Sequence, residues 1–146
     1  MKTYIVHCDT LTERRKHIES LGLGDVEWVT DFPIDHPIIQ KVKDLTPLPN
    51  GYISNSLKHY EVCRRMCADG IEEALIFEDD VILSEFFDVS NIPRECAYVK
   101  LGNGTPDMGI PLGNIPLVIT NNAGTEAYYM KRCFACLLYT SPSPRD

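Results

Sequence analysis

The sequence predicts an α/β fold with a mostly parallel central sheet. A short β-branched and aromatic run, Thr3-Tyr4-Ile5-Val6-His7-Cys8, is followed by a helical stretch and a second short strand, which is a βαβ opening. A further apolar run, Ala74-Leu75-Ile76-Phe77, runs straight into Glu78-Asp79-Asp80, as a buried strand does when it emerges at a site. The 146 residues, 44% hydrophobic and 24% charged, suit one domain with a packed core.

Taken in order, Asp9 and Thr10 end the first strand, and a polar helix covers Thr12 to Leu21. Leu11, Ile18 and Leu21 give it a narrow apolar face, and Gly22 and Gly24 stop it. Val26 to Val29 form the second strand. Pro33, Pro37, Pro47 and Pro49 then break the chain into a loop or a set of short elements. Ser54 or Ser56 is expected to cap a strong helix running to about Asp69, with Ile53, Leu57, Tyr60, Cys63 and Cys67 at helical spacing.

After the acidic run, Val81-Ile82-Leu83 resumes the apolar pattern, and Tyr98 to Leu101 reads as another strand. Gly102-Asn103-Gly104 and Asn121-Asn122 read as turns, with Leu117 to Thr120 between them as a strand. Thr125 to Met130 is a last extended segment, and a helix starts near Lys131.

The net charge of −7, from 14 basic and 21 acidic residues, weighs against nucleic acid and suits a site that holds a divalent cation. No apolar run is long enough to span a membrane, and the N-terminus is a poor signal peptide. A cytoplasmic protein is the expectation. Of the six cysteines, Cys133 and Cys136 form a single CxxC without a second pair or a suitably spaced histidine, so reduced thiols are expected throughout.

Three adjacent carboxylates repel one another, and a cation offsets that cost. Strand alternation would put Glu78 and Asp80 on one face with Asp79 turned away, and Asp80 is the candidate ligand for Mn²⁺ or Mg²⁺. A solvated acidic turn explains the same residues. His59 is either a half-buried structural histidine or a donor to phosphate or the carboxylates. Ser54, Asn55 and Ser56 at a helix N-terminus could receive an anion or a sugar hydroxyl.

Thr10 and Leu11 form the strand-to-helix turn that faces a nucleotide in such sheets, and Arg14 could reach its phosphates. Glu126 could line an acceptor pocket or lie on the surface. No Gly-x-Gly-x-x-Gly stands in the first turn and no GxxxxGK[ST] occurs, which disfavours dinucleotide and P-loop sites. A GxSxG hydrolase elbow is also missing.

These residues resemble glycosyltransferase family 25, which includes lipooligosaccharide and procollagen galactosyltransferases. The landmarks are the opening strand with Leu11-Thr12-Glu13-Arg14-Arg15, the segment Ser54-Asn55-Ser56-Leu57-Lys58-His59, the run Leu75-Ile76-Phe77-Glu78-Asp79-Asp80-Val81, and Thr125-Glu126-Ala127-Tyr128. Lys58 departs from the pattern, since many bacterial members carry serine there, and Asn55 replaces a small residue or cysteine.

The resemblance implies a GT-A type nucleotide-binding sandwich and an inverting transfer of galactose or glucose from a UDP-sugar to a glycan, lipid-linked sugar or protein hydroxyl. Asp80 would hold the metal and, with Glu126, is a candidate catalytic residue. Thr10, Leu11, Arg14, His59, Glu78 and Asp79 would line the donor pocket. Peripheral association with a membrane fits such an acceptor.

The segment Leu137 to Asp146, ending Ser-Pro-Ser-Pro-Arg-Asp, resembles the translation of a sequencing adaptor. The expectation is therefore a domain over residues 1–136, incomplete at its C-terminus, with a foreign tail over 137–146. A non-catalytic sugar-nucleotide-binding or scaffold domain of the same fold is the alternative, and a metal-dependent phosphohydrolase a weaker one.

Overall fold

A computed structural model of the chain describes residues 1–101 and 126–140. The turns expected at 102–104 and 121–122, the strand at 117–120 and the last six residues lie outside the described residues.

The opening strand β1 (Lys2–Val6), helix α1 (Thr12–Ser20) and strand β2 (Val26–Val29) form the expected βαβ unit. The proline-rich stretch folds a short helix α2 (Pro37–Lys43), with Pro37 at its first turn and the His36 ring accepting from the Ile38 amide. Helix α3 (Asn50–Ala68) leads to β3 (Glu73–Glu78), then β4 (Tyr98–Lys100), β5 (Ala127–Lys131) and α4 (Arg132–Thr140). Gly70, at φ 68°, supplies the left-handed turn between α3 and β3.

The sheet order is β2-β1-β3-β5-β4. β1 pairs parallel with both β2 and β3, whereas β5 runs antiparallel to β3 and to β4. The sheet is therefore mixed: β2, β1, β3 and β4 run one way, as a mostly parallel sheet would have them, and β5 is reversed. The reversal matters for the site. The register pairs Phe77 with Ala127, and the Glu78 amide donates to the Glu126 carbonyl at 2.8 Å. An antiparallel β5 thus begins where β3 ends, which brings Glu126 to the acidic run.

Side-chain alternation divides the core between the two faces of the sheet. Tyr4, Val6, Ala74, Ile76, Tyr128 and Met130 pack with Val62, Cys63 and Met66 of α3 and Ala135 of α4. On the other face Ile5, Leu75, Phe77 and Tyr129 meet Ile18 of α1, together with Val81 and Ile92 from the segment that follows β3. The resumed apolar run at 81–83 forms no regular element: Val81 is buried, but Ile82 next to it is 86% exposed.

Two sequence expectations are corrected here. Helix α3 starts at Asn50 with Pro49 in the capping position, so Ser54 and Ser56 lie inside the helix and cap nothing. An anion site on free amides at Ser54–Ser56 is thereby removed, because amides past the first turn are bonded within the helix. Secondly, Cys67 and Cys136 form a disulfide that ties α3 to α4, while Cys8, Cys63, Cys96 and Cys133 are free. Their separation of 69 residues hid the pairing, since only the packing of α4 across α3 brings the two together. α4 itself continues through Thr140, with the Tyr139 ring against Tyr60.

Candidate functional site

A cavity of about 890 Å³ opens at the C-terminal ends of β1 and β3, against the first turns of α1 and α3. This is where an open α/β sheet leaves backbone ends and helix starts facing a common crevice. Its polar wall includes Arg14, Lys58, Glu78, Asp79 and Glu126, and its mouth carries Ile34 and Tyr52, both well exposed. Leu11 lines it as well, whereas Thr10, His59 and Asp80 lie outside its lining.

Asp79, 5% exposed, is the most tightly held of the three acids. Its Oδ2 accepts from His7 Nδ1 at 2.8 Å and from the Cys8 amide at 3.3 Å, and its Oδ1 accepts from Arg14 Nη1 at 2.7 Å. A buried carboxylate survives only with such partners, and here they clamp β1, α1 and β3 together. The His7 ring, set edge-on to Trp28, keeps its Nε2 buried without a hydrogen-bond partner among the described residues. The sequence carried a signal for His7, a histidine closing an apolar strand, but nothing in it marked Asp79, 72 residues away, as the partner of that ring.

Arg14 also reaches Asp80 Oδ2 at 3.0 Å. The cation that the acidic run requires is thus supplied in part by the chain itself. Its bond to Asp79 raises the Arg14 guanidinium above its ordinary value, so it stays charged. Strict alternation of the three acids is overturned: β3 ends at Glu78, and Asp79 and Asp80 occupy a turn from which one guanidinium gathers both.

Glu78 turns toward α3. Its Oε1 accepts from Asn55 Nδ2 and stands 3.1 Å from His59 Nε2, while His59 Nδ1 is 2.8 Å from the Tyr128 hydroxyl. One tautomer satisfies the chain: Nε2–H donates to Glu78, and Nδ1 accepts from Tyr128. Burial holds the Tyr128 phenol well above its usual range, which keeps it a donor. His59 acts through Glu78 and Tyr128 rather than from the cavity wall.

Glu126 Oε2 is buried and has no hydrogen-bond partner among the described residues, although the residue lines the cavity. A carboxylate on a residue that lines a crevice is a natural acceptor for a ligand's proton.

Asp80 offers a divalent ion the chemistry it needs, a half-exposed carboxylate of hard oxygens. Among the described residues no three His, Cys, Asp or Glu side chains gather as a metal-holding group. An ion at Asp80 would therefore be held by one protein carboxylate that Arg14 already pairs, with ligand oxygens and water completing its shell.

The family model of glycosyltransferase family 25 (LPS biosynthesis protein) matches residues 33–98. That is family-level evidence for a glycosyltransferase of this type, carried by a little under half of the chain. The match takes in α2, α3 and β3, with His59, Glu78, Asp79 and Asp80, but stops short of Arg14 and Glu126 on either side. Tertiary structure joins those two to the matched part. No curated protein matches the chain. Among the described residues no helix is long and apolar enough to cross a membrane.

Proposed function

We propose that the chain transfers a hexose, galactose or glucose, from a UDP-sugar to a hydroxyl of a glycan, a lipid-linked sugar or a protein, with inversion and with help from a divalent metal. The observation that carries this reading is the meeting of Asp79 and Asp80 with Arg14 at the end of β3, beside a cavity large enough for a nucleotide sugar. The family-level match over 33–98 supports the reaction class.

In this reading Leu11 and Arg14 face the nucleotide, with Thr10 in the same turn. Asp79 holds Arg14 in place, and Glu78, steadied by Asn55 and His59, faces the donor's sugar or ribose hydroxyls. The acceptor oxygen attacks the anomeric carbon as the bond to the UDP oxygen breaks, and the acceptor's proton passes to Glu126 Oε2. A Mn²⁺ or Mg²⁺ ion on Asp80, when bound, supplies positive charge against the departing diphosphate.

Calorimetric titration of UDP with Mn²⁺, repeated on Asp80→Asn, tests the reading. UDP binding that Mn²⁺ strengthens, and strengthens less in the variant, is expected. Affinity that ignores both metal and substitution would sink the role given to Asp80. Glu126→Gln is expected to bind UDP normally and to lose about 10²–10⁴-fold in transfer rate, the usual worth of a positioned base.

A further inference from the structure

Lys58 is a buried charge that the proposed reaction leaves unused. It sits on α3 with only 4% of its surface exposed, yet it lines the cavity. Its ammonium donates to Ser54 Oγ at 2.9 Å and makes no ion pair among the described residues. Asp9, Asp31, Asp79 and Cys8 lie near enough to be felt, but none touches it. Asp79 in particular is spent on His7, Cys8 and Arg14.

Its single hydrogen bond is well prepared. Ser54 Oγ donates its own proton to the Phe32 carbonyl at 2.6 Å, which leaves the oxygen's lone pairs for Lys58. Phe32 adopts φ 53°, a left-handed conformation uncommon for a bulky residue, at the turn that presents this carbonyl. The ammonium is thereby fixed at the wall of the crevice, with one hydrogen bond for its three donors among the described residues. A buried ammonium without a counter-ion is costly, and burial already pulls the Lys58 pKa below its ordinary value. A ligand anion entering the cavity would offset that cost.

We infer that Lys58, steadied by Ser54, binds a phosphoryl oxygen of the nucleotide inside the cavity. The inference rests on the nucleotide-sugar reading and adds to it a second cation, on α3, independent of the Arg14–Asp79–Asp80 group. Arg14 is committed to two carboxylates, whereas Lys58 lines the cavity and makes no ion pair among the described residues.

The test uses the full chain, with UDP, inorganic pyrophosphate and uridine titrated without divalent ion, so that no affinity runs through a metal. Lys58→Met keeps the side chain's length and removes its charge. It is expected to weaken UDP and pyrophosphate about 10- to 100-fold, the worth of one charge-assisted hydrogen bond, with uridine unchanged and the thermal transition retained. Lys58→Gln, which keeps an N–H for Ser54, takes its place if the methionine variant does not fold.

Wild-type affinity for both phosphates in the variant overturns the inference, and so does a wild-type chain that binds neither. Lys58-dependent binding of pyrophosphate without any affinity for UDP upholds the anion site and removes the nucleotide reading.

Discussion

The Arg14 guanidinium donates to Asp79 at 2.7 Å across 65 residues of sequence, and the same nitrogen lies 3.0 Å from Asp80. One cation from α1 thus holds two adjacent acids in the turn after β3. Removing it leaves Asp79 with two donors and returns the repulsion between the pair. Because 46% of the Arg14 side chain is exposed, solvent screens much of the attraction. Arg14→Ala is expected to cost only about 1 kcal/mol of stability by denaturant titration. Its effect on UDP affinity should be several times larger than that of Arg15→Ala, whose guanidinium stacks on Trp28 and bonds Glu19.

The His59 relay predicts a separation of stability from binding. His59→Phe leaves the buried Tyr128 hydroxyl without its acceptor and removes one partner of Glu78. A loss of about 1–3 kcal/mol is expected, read as a lower denaturation midpoint. His59→Asn, able to reach at most one of the two partners, should recover part of it. A variant as stable as the parent would show that the relay is idle.

Acid should unfold the protein through a different cluster. Arg65 of α3 binds Glu61, Glu27 and Asp31, joining α3 to β2 and the turn after it. Hydrogen bonds from Arg64, and then from Arg65, hold Glu61 below its ordinary value. Glu27, which burial would raise, is nevertheless drawn down by Arg65 and Lys2. A depressed carboxylate stabilises the fold above its unfolded pKa, about 4.5, and that stabilisation is lost as pH falls through the folded value. Melting temperature should therefore drop as pH goes from about 5 toward 3, and less steeply in Glu61→Gln.

The disulfide gives a redox dependence. Closing a loop across a sequence separation of 69, from Cys67 to Cys136, should stabilise the fold by about 2–4 kcal/mol relative to its reduced form. Dithiothreitol should lower the melting temperature of the parent and leave Cys136→Ser unchanged. In the native oxidised chain exposed Cys133 should react first with a thiol reagent, and Cys63 last, since burial raises its pKa to about 11.

Much of this architecture was readable from local pattern. The βαβ opening, the strand ending at Glu78 and the helix near Lys131 follow from periods of two and 3.6 residues broken by glycine, proline and charge. Ser54 was misplaced because serine before an apolar helical stripe looks like a cap. Pro49 instead starts the helix a turn earlier, and Ser54 becomes the buried support of Lys58.

By itself, then, the sequence determined the α/β class, the position of the acidic turn and the candidates Arg14, His59, Glu78, Asp79, Asp80 and Glu126. The class and the turn depend on propensity and spacing within a few residues, and the candidates rest also on the resemblance to glycosyltransferase family 25. Only the tertiary structure decided that Arg14 serves Asp79 and Asp80 and that β5 runs antiparallel so that Glu126 meets Glu78. It also decided that Cys67 joins Cys136 and that Lys58 lies buried in the cavity wall. Strand order and helix packing set those contacts, and side chains 65 or 69 residues apart leave no local signature of the partner they will meet.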